Sequence, residues 1–96
     1  MYGTVMIAKM KAEPDKIQQV TREWQKRTVP GFISSDALVG DDGATLVAVV
    51  KFASKEEYMA LADAPEQDEW WRTQMLPLLD GEPTWIDGTW MQSIVR

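Results

Sequence analysis

Through residues 2–11 the side chains alternate, with Thr4, Met6, Ala8 and Met10 on one face and Val5, Ile7, Lys9 and Lys11 on the other. Both faces are apolar over the first half of that stretch, which predicts a strand covered on two sides. Pro14 suits the first turn of a helix and Asp15 its positive end. Ile17, Val20, Trp24 and Thr28 then recur at helical spacing, with Gln18, Gln19, Arg22, Glu23 and Lys26 on the wet side, until Val29-Pro30-Gly31 stops the helix. Residues 32–39 read as a second strand, weakened by Ser34, Ser35 and Asp36. Gly40-Asp41-Asp42-Gly43 reads as a hairpin loop rather than a metal site, because no other ligand lies nearby in sequence.

Residues 44–53 give the clearest strand, with Leu46, Ala48, Val50 and Phe52 on one face and Thr45, Val47, Val49 and Lys51 on the other. Ser54 and Glu57 have the spacing of a capping box, so a helix starts there and carries Tyr58, Met59, Leu61 and Ala62. Ala64-Pro65 interrupts it. A second helical piece runs from Glu66 to about Leu79 and should kink or end at Pro77. Gly81 and Pro83 stop it, and residues 84–95 complete the set as a last strand with a bulge expected at Gly88.

The order β, α, β, hairpin, β, α, β is the split βαβ arrangement: an α+β, ferredoxin-like βαββαβ fold with a four-stranded antiparallel sheet and its helices on one face. The whole chain, residues 1–96, is one domain. The face without helices would still hold several Val, Met and Leu side chains, because the first and third strands are apolar on both sides, a patch of the kind that marks an interface. Burying about 400 Å² of it would contribute roughly 10 kcal/mol before association costs, which predicts a homodimer packed sheet to sheet.

Composition narrows the chemistry. Cysteine and histidine are both absent. That removes disulfides, thiolate or imidazole metal sites, and Ser-His or Cys-His dyads. A formal net charge of −5 speaks against nucleic acid. No stretch is apolar enough for a membrane span and no basic leader precedes an apolar run, so the expected location is the cytoplasm. Five tryptophans in 96 residues suggest either heavy core filling or an aromatic-lined pocket.

Val29-Pro30-Gly31-Phe32 opening the second strand, Ser54–Tyr58 opening the second helical region and Leu76-Pro77-Leu78-Leu79-Asp80-Gly81 before the last strand carry a resemblance that covers nearly the whole chain. It resembles the dimeric α/β-barrel superfamily, in particular antibiotic biosynthesis monooxygenase domains. The resemblance implies a sheet-to-sheet dimer with a pocket between each sheet and its helices. It also implies oxidation of aromatic, polyketide-like molecules by O₂ without a cofactor or metal. Haem-cleaving members of that superfamily use an Asn, a Trp and a His. With helix starts aligned at Ser54, the Trp position falls near Leu61 and the His position near Trp71, and the chain has no Asn or His, so haem degradation is not expected. The quinone-forming members use Asn, Trp, Tyr and Arg, for which Trp70, Trp71, Arg72 and Tyr58 are the substrate-binding candidates.

Oxygenation of this kind needs a base and a dry aromatic slot. Asp36 and Asp87, acidic residues inside strands, are the candidate bases; each also reads as a solvated strand residue. Trp70 and Trp71 point about 100° apart on a helix, so one can line a pocket while the other packs on the first helix or the partner. Trp24 belongs to the core stripe. Trp85 and Trp90 have opposite parity, one toward the helices and one toward the dimer face. Lys9 and Lys51 read as snorkelling strand-end residues, and Arg72 as either a ligand contact or an exposed helix cation. A non-catalytic binding or structural dimer with a degenerate pocket is the competing reading.

Overall fold

The computed structural model describes residues 1–96. Strands β1 (Tyr2–Lys9), β2 (Phe32–Val39), β3 (Thr45–Phe52) and β4 (Thr84–Thr89) alternate with helices α1 (Pro14–Gln25), α2 (Lys55–Ala62) and α3 (Pro65–Trp70). The sheet order is β2-β3-β1-β4 and every pairing is antiparallel, the ferredoxin-like arrangement.

In the central pair, Tyr2 faces Phe52 and Lys9 faces Thr45 without a break. This register puts Thr4, Met6 and Ala8 on the same face as Leu46, Ala48 and Phe52, under the helices. Val5, Ile7, Val47 and Val49 point to the other face, which no helix covers, and all four are half-buried or exposed. The core is Met6, Ala8 and Leu46 from the sheet, Ile17 and Val20 from α1, and Met75 and Leu79 from the segment after α3. Phe52 is fully buried beside them.

Local chemistry accounts for most boundaries. Pro14 starts α1, and its last turn tightens at Gln25, where Lys26 and Arg27 donate backbone hydrogen bonds to Glu23 and Trp24. The helix is therefore three residues shorter than the Thr28 end its periodicity predicts. At α2 the Ser54 hydroxyl oxygen accepts the Glu57 N–H at 3.2 Å and donates to the Glu57 carboxylate at 3.0 Å. In the β2–β3 hairpin Asp42 accepts the N–H groups of Ala44 and Thr45 and the Thr45 hydroxyl. That hydroxyl first, and the two N–H groups after it, hold the Asp42 carboxyl well below the usual carboxylate range. Asp42 thus serves the turn itself.

Three expectations are corrected. The helix after Pro65 does not simply kink at Pro77. It widens over Trp71–Met75, where the Leu76 N–H reaches the Trp71 carbonyl, and then tightens over Leu76–Leu78. Pro77 has no N–H to offer and its ring crowds the Thr73 carbonyl, so the turn before it opens. The bulge falls at Ile33 in β2, not at Gly88, which sits opposite Gly3 in an unbroken register. Finally, β4 ends at Thr89 rather than continuing to Val95. Tyr2 pairs with Thr89 and the Met1 carbonyl accepts the Trp90 N–H at 3.0 Å, the last contact of the β1–β4 ladder.

Candidate functional site

Helix α2 packs on β1 and β3, and the inward face of β4, every residue of which is exposed, is left as an open, shallow trough. Its floor is Trp85 and Asp87, which share that face because they lie opposite Met6 and Thr4. One wall is Tyr58 of α2, whose hydroxyl donates to Asp87 Oδ1 at 3.0 Å. The other is Trp71, whose ring centroid lies 5.2 Å from that of Trp85 at 59°. Thr4 is buried beneath and donates to the Ile86 carbonyl at 3.3 Å.

Two branches of rings hold these walls. Tyr58 packs between Tyr2, at 5.5 Å, and Phe52, at 5.6 Å. Phe52 meets Phe32 edge to face at 5.7 Å, and Phe32 meets Trp24 at 5.4 Å. From Trp24 the second branch returns through Trp70, at 6.2 Å, to Trp71, at 6.5 Å. The Trp24 indole N–H donates to Gln67 Oε1 at 2.8 Å, tying α1 to α3. Such contacts contribute about 0.5–1.5 kcal/mol per pair beyond burial and, more usefully, fix ring orientation.

The electrostatics centre on Tyr58. Burial pushes its phenol up to about 12, the Thr4 hydroxyl pulls against that rise, and the Asp87 carboxylate adds to it. The phenol thus stays protonated at neutral pH and remains a donor to Asp87. Because its folded value is raised, the stability linked to it is complete below the unfolded value of about 10 and is lost as pH rises toward the folded one. Absorbance titration of the phenols should therefore find one late-ionising tyrosine. In Asp87→Asn that tyrosine should ionise earlier. A late tyrosine unmoved by the substitution would mean the 3.0 Å hydrogen bond does not form in solution.

Of the sequence candidates, the trough gathers Tyr58, Asp87 and Trp71. Trp70 turns the other way, onto Trp24, and borders a shallow recess of about 240 Å³ with Arg27, Glu66 and Glu69. Arg72 is exposed and its Nε donates to Asp68 Oδ2 at 2.9 Å. It borders a separate open recess of about 390 Å³ with Lys11, Leu76 and Glu82. Asp36 is exposed and lies opposite Val49, on the face away from the helices. Trp24 is half-buried. Trp90 follows the end of β4, with Lys51 Nζ 5.1 Å over its ring. Sequence reasoning missed Thr4 and Tyr2. Thr4 carried a signal, as the one polar residue on an otherwise apolar inward face.

A four-stranded antiparallel sheet with helices on one face is the ferredoxin-like α+β fold, and in this form it is similar to solved monooxygenase structures of the antibiotic biosynthesis type. Among solved structures of that form, the monooxygenase ActVA-Orf6 of Streptomyces coelicolor, in complex with nanaomycin D, superposes with a TM-score of 0.75 at 22% identity over 99% of this chain and 91% of that one. SnoaB, a cofactor-independent oxygenase from Streptomyces nogalater, gives 0.78 at 14% identity over 99% and 97%. Rv0793 from Mycobacterium tuberculosis gives 0.67 at 18% identity over 97% and 99%. At such identities the likeness establishes the fold. No family model matches the sequence, and no curated protein gives a significant match. No helix is long and apolar enough to cross a membrane.

Proposed function

We propose that the chain is a cofactor-independent monooxygenase acting on an aromatic, polyketide-like small molecule, working in the cytoplasm as a sheet-to-sheet homodimer. The observation that carries the reading is the open inward face of β4, where the paired indoles of Trp71 and Trp85 lie beside a carboxylate with one oxygen free. Asp87 Oδ1 is engaged by Tyr58, and no salt bridge occupies its other oxygen. A flat phenol or anthrone lying against the indoles would present an acidic proton to that oxygen. The proton moves to Asp87 and the electron pair stays on the ring carbon as a stabilised carbanion. Reaction with O₂ then converts a CH₂ group and one O₂ into a carbonyl and one water, so no external reductant is required. Every residue of β4 is exposed, so a ligand lying against Trp71 and Trp85 would itself shield the carbanion from reprotonation by water. The fold likeness to oxygenases, including one in complex with nanaomycin D, supports the same reading.

The second reading, a non-catalytic small-molecule-binding or structural dimer with a degenerate pocket, is favoured by one observation: Trp71 and Trp85 touch each other and fill part of the slot they line. Oxygen uptake with 1,8-dihydroxyanthrone separates the two. The first reading expects protein-dependent O₂ consumption and anthraquinone formation, at least tenfold slower in Asp87→Asn. Calorimetric binding of the anthrone without O₂ uptake would establish the second, and the absence of both would leave a structural dimer.

A further inference from the structure

We propose that Pro77 is a positioning residue that sets the shape of ligand the trough accepts: the wide turn before it brings Trp71 onto Trp85, and the two indoles form a clip for a flat, fused aromatic ring system taken between them. The inference rests on the trough as the ligand site of the proposed function. It deepens that reading, because it concerns selection by shape and not the fate of the ligand.

The helical segment is anchored at both ends, and the two anchors are out of step with a regular helix. On the C-terminal side Met75 and Leu79 are buried in the core and Leu79 bridges to Met10. The Leu78 carbonyl accepts the N–H groups of Lys11 and Ala12 at 2.8 and 3.1 Å. On the N-terminal side Gln67 accepts the Trp24 indole N–H and Trp70 packs on the Trp24 ring. A regular helix repeats about every 3.6 residues, so Trp71, four residues before Met75, would share the buried face of Met75. The turn over Trp71–Met75 holds one residue more, with the Leu76 N–H on the Trp71 carbonyl five residues back. Trp70 therefore takes the place one turn before Met75, and Trp71 moves to the flank beside β4.

Two side chains favour the wide turn. The Thr73 hydroxyl donates to the Glu69 carbonyl at 2.8 Å, a contact that bends a helix. Pro77 has no N–H for the Thr73 carbonyl four residues back. Of the two, only Pro77 forbids the regular hydrogen bond, so its replacement is what lets the turn close.

The indole pair is narrower than the ligand it would hold. A flat ring stacked between two others needs about 3.5 Å on each side, or about 7 Å in all. The centroids of Trp71 and Trp85 are 5.2 Å apart and their planes are tilted by 59°. The rings must part by about 2 Å and turn parallel. Trp71 is backed by Trp70 at 6.5 Å, whereas Trp85 is 45% exposed on an edge strand, so Trp85 is the half that swings. A molecule one ring thick then touches both indoles. One whose rings stand out of a common plane needs a wider gap and loses one of them. Asp87 follows two residues after Trp85 on the same strand face, about 7 Å along it, so the edge of a clipped ring system reaches the carboxylate.

Calorimetry with 1,8-dihydroxyanthraquinone, which is flat, and phenolphthalein, whose rings radiate from a tetrahedral carbon, reads this selection without turnover. Wild-type protein should bind the anthraquinone at least tenfold more tightly. Pro77→Ala should lose that preference with a thermal midpoint at or above the wild-type value, because a regular turn gains a hydrogen bond. The placement of Trp71 is read separately, with no ligand present, by the exciton couplet of neighbouring indoles in far-ultraviolet circular dichroism. The component that Trp85→Leu removes should also be missing from Pro77→Ala. A component retained in Pro77→Ala would overturn the role of Pro77, whatever the midpoint. Its loss with the preference for the anthraquinone intact would overturn the clip as the source of selection. Equal binding of both molecules by wild-type protein would overturn the clip and leave the trough standing as the site, and binding of neither would overturn both.

Discussion

Phe52→Ala is expected to destabilise the protein by about 3–5 kcal/mol, the range for emptying a fully enclosed aromatic site. Phe52 is the largest side chain with no exposure at all, and it meets Phe32 and Tyr58 edge to face. Its loss removes the floor between β2 and α2 together with two ring contacts. A domain of this size has only about 5–15 kcal/mol of stability, so the substitution takes a large share of it. Urea unfolding followed by circular dichroism would measure the effect as a lowered midpoint. A loss below about 1 kcal/mol would mean that the α2 side collapses to fill the space, against the rigid aromatic frame described for the trough. The same variant should release Tyr58 from its late ionisation, because the ring that keeps water from the phenol is gone.

Gly3→Ala is the second large effect. A Cβ at this position would lie 1.9 Å from the Val50 carbonyl oxygen and 2.8 Å from the Trp90 indole nitrogen. The indole can move, but the carbonyl belongs to the central β1–β3 ladder and cannot retreat without breaking its register. Overpacking of this kind costs about 1–3 kcal/mol and occasionally more, and the backbone contact places Gly3→Ala at the upper end. Thermal unfolding should show a lowered midpoint. Unchanged stability would mean that the strand pair is far softer than its unbroken register implies.

Much of the fold was legible because it is written in nearest-neighbour chemistry. The two-faced apolar pattern of residues 44–53, the Ser54–Glu57 cap and the Gly40–Gly43 loop each act within a few residues, and each stands where the pattern placed it. The end of β4 was not legible, since alternation at Met91–Val95 records a tendency to pair and says nothing about whether a partner backbone remains. The bulge was misplaced for a related reason. Gly88 looks like a break when read alone, but across the sheet it meets another glycine. For the site, sequence supplied the residue types and missed the groupings. Tyr58 and Asp87 are 29 residues apart, and only the register of β4 against β1 brings them together. The register of β2 against β3 places Asp36 on the opposite side of the sheet, and helix geometry pairs Arg72 with Asp68 instead of aiming it at the trough.

Four of the five indoles, Trp24, Trp70, Trp71 and Trp85, follow one another with neighbouring centroids no more than 6.5 Å apart. Excitation absorbed by any one of them can migrate along the row before it is emitted, so their fluorescence behaves as one lamp. A ligand that quenches Trp85 would dim the light collected by Trp24 on the far side of the molecule. Trp90 stands apart from that row, against Lys51 at the root of the last segment. The protein therefore carries two optical reporters written in the same residue type: a pooled one for the trough, and a solitary one for the chain end.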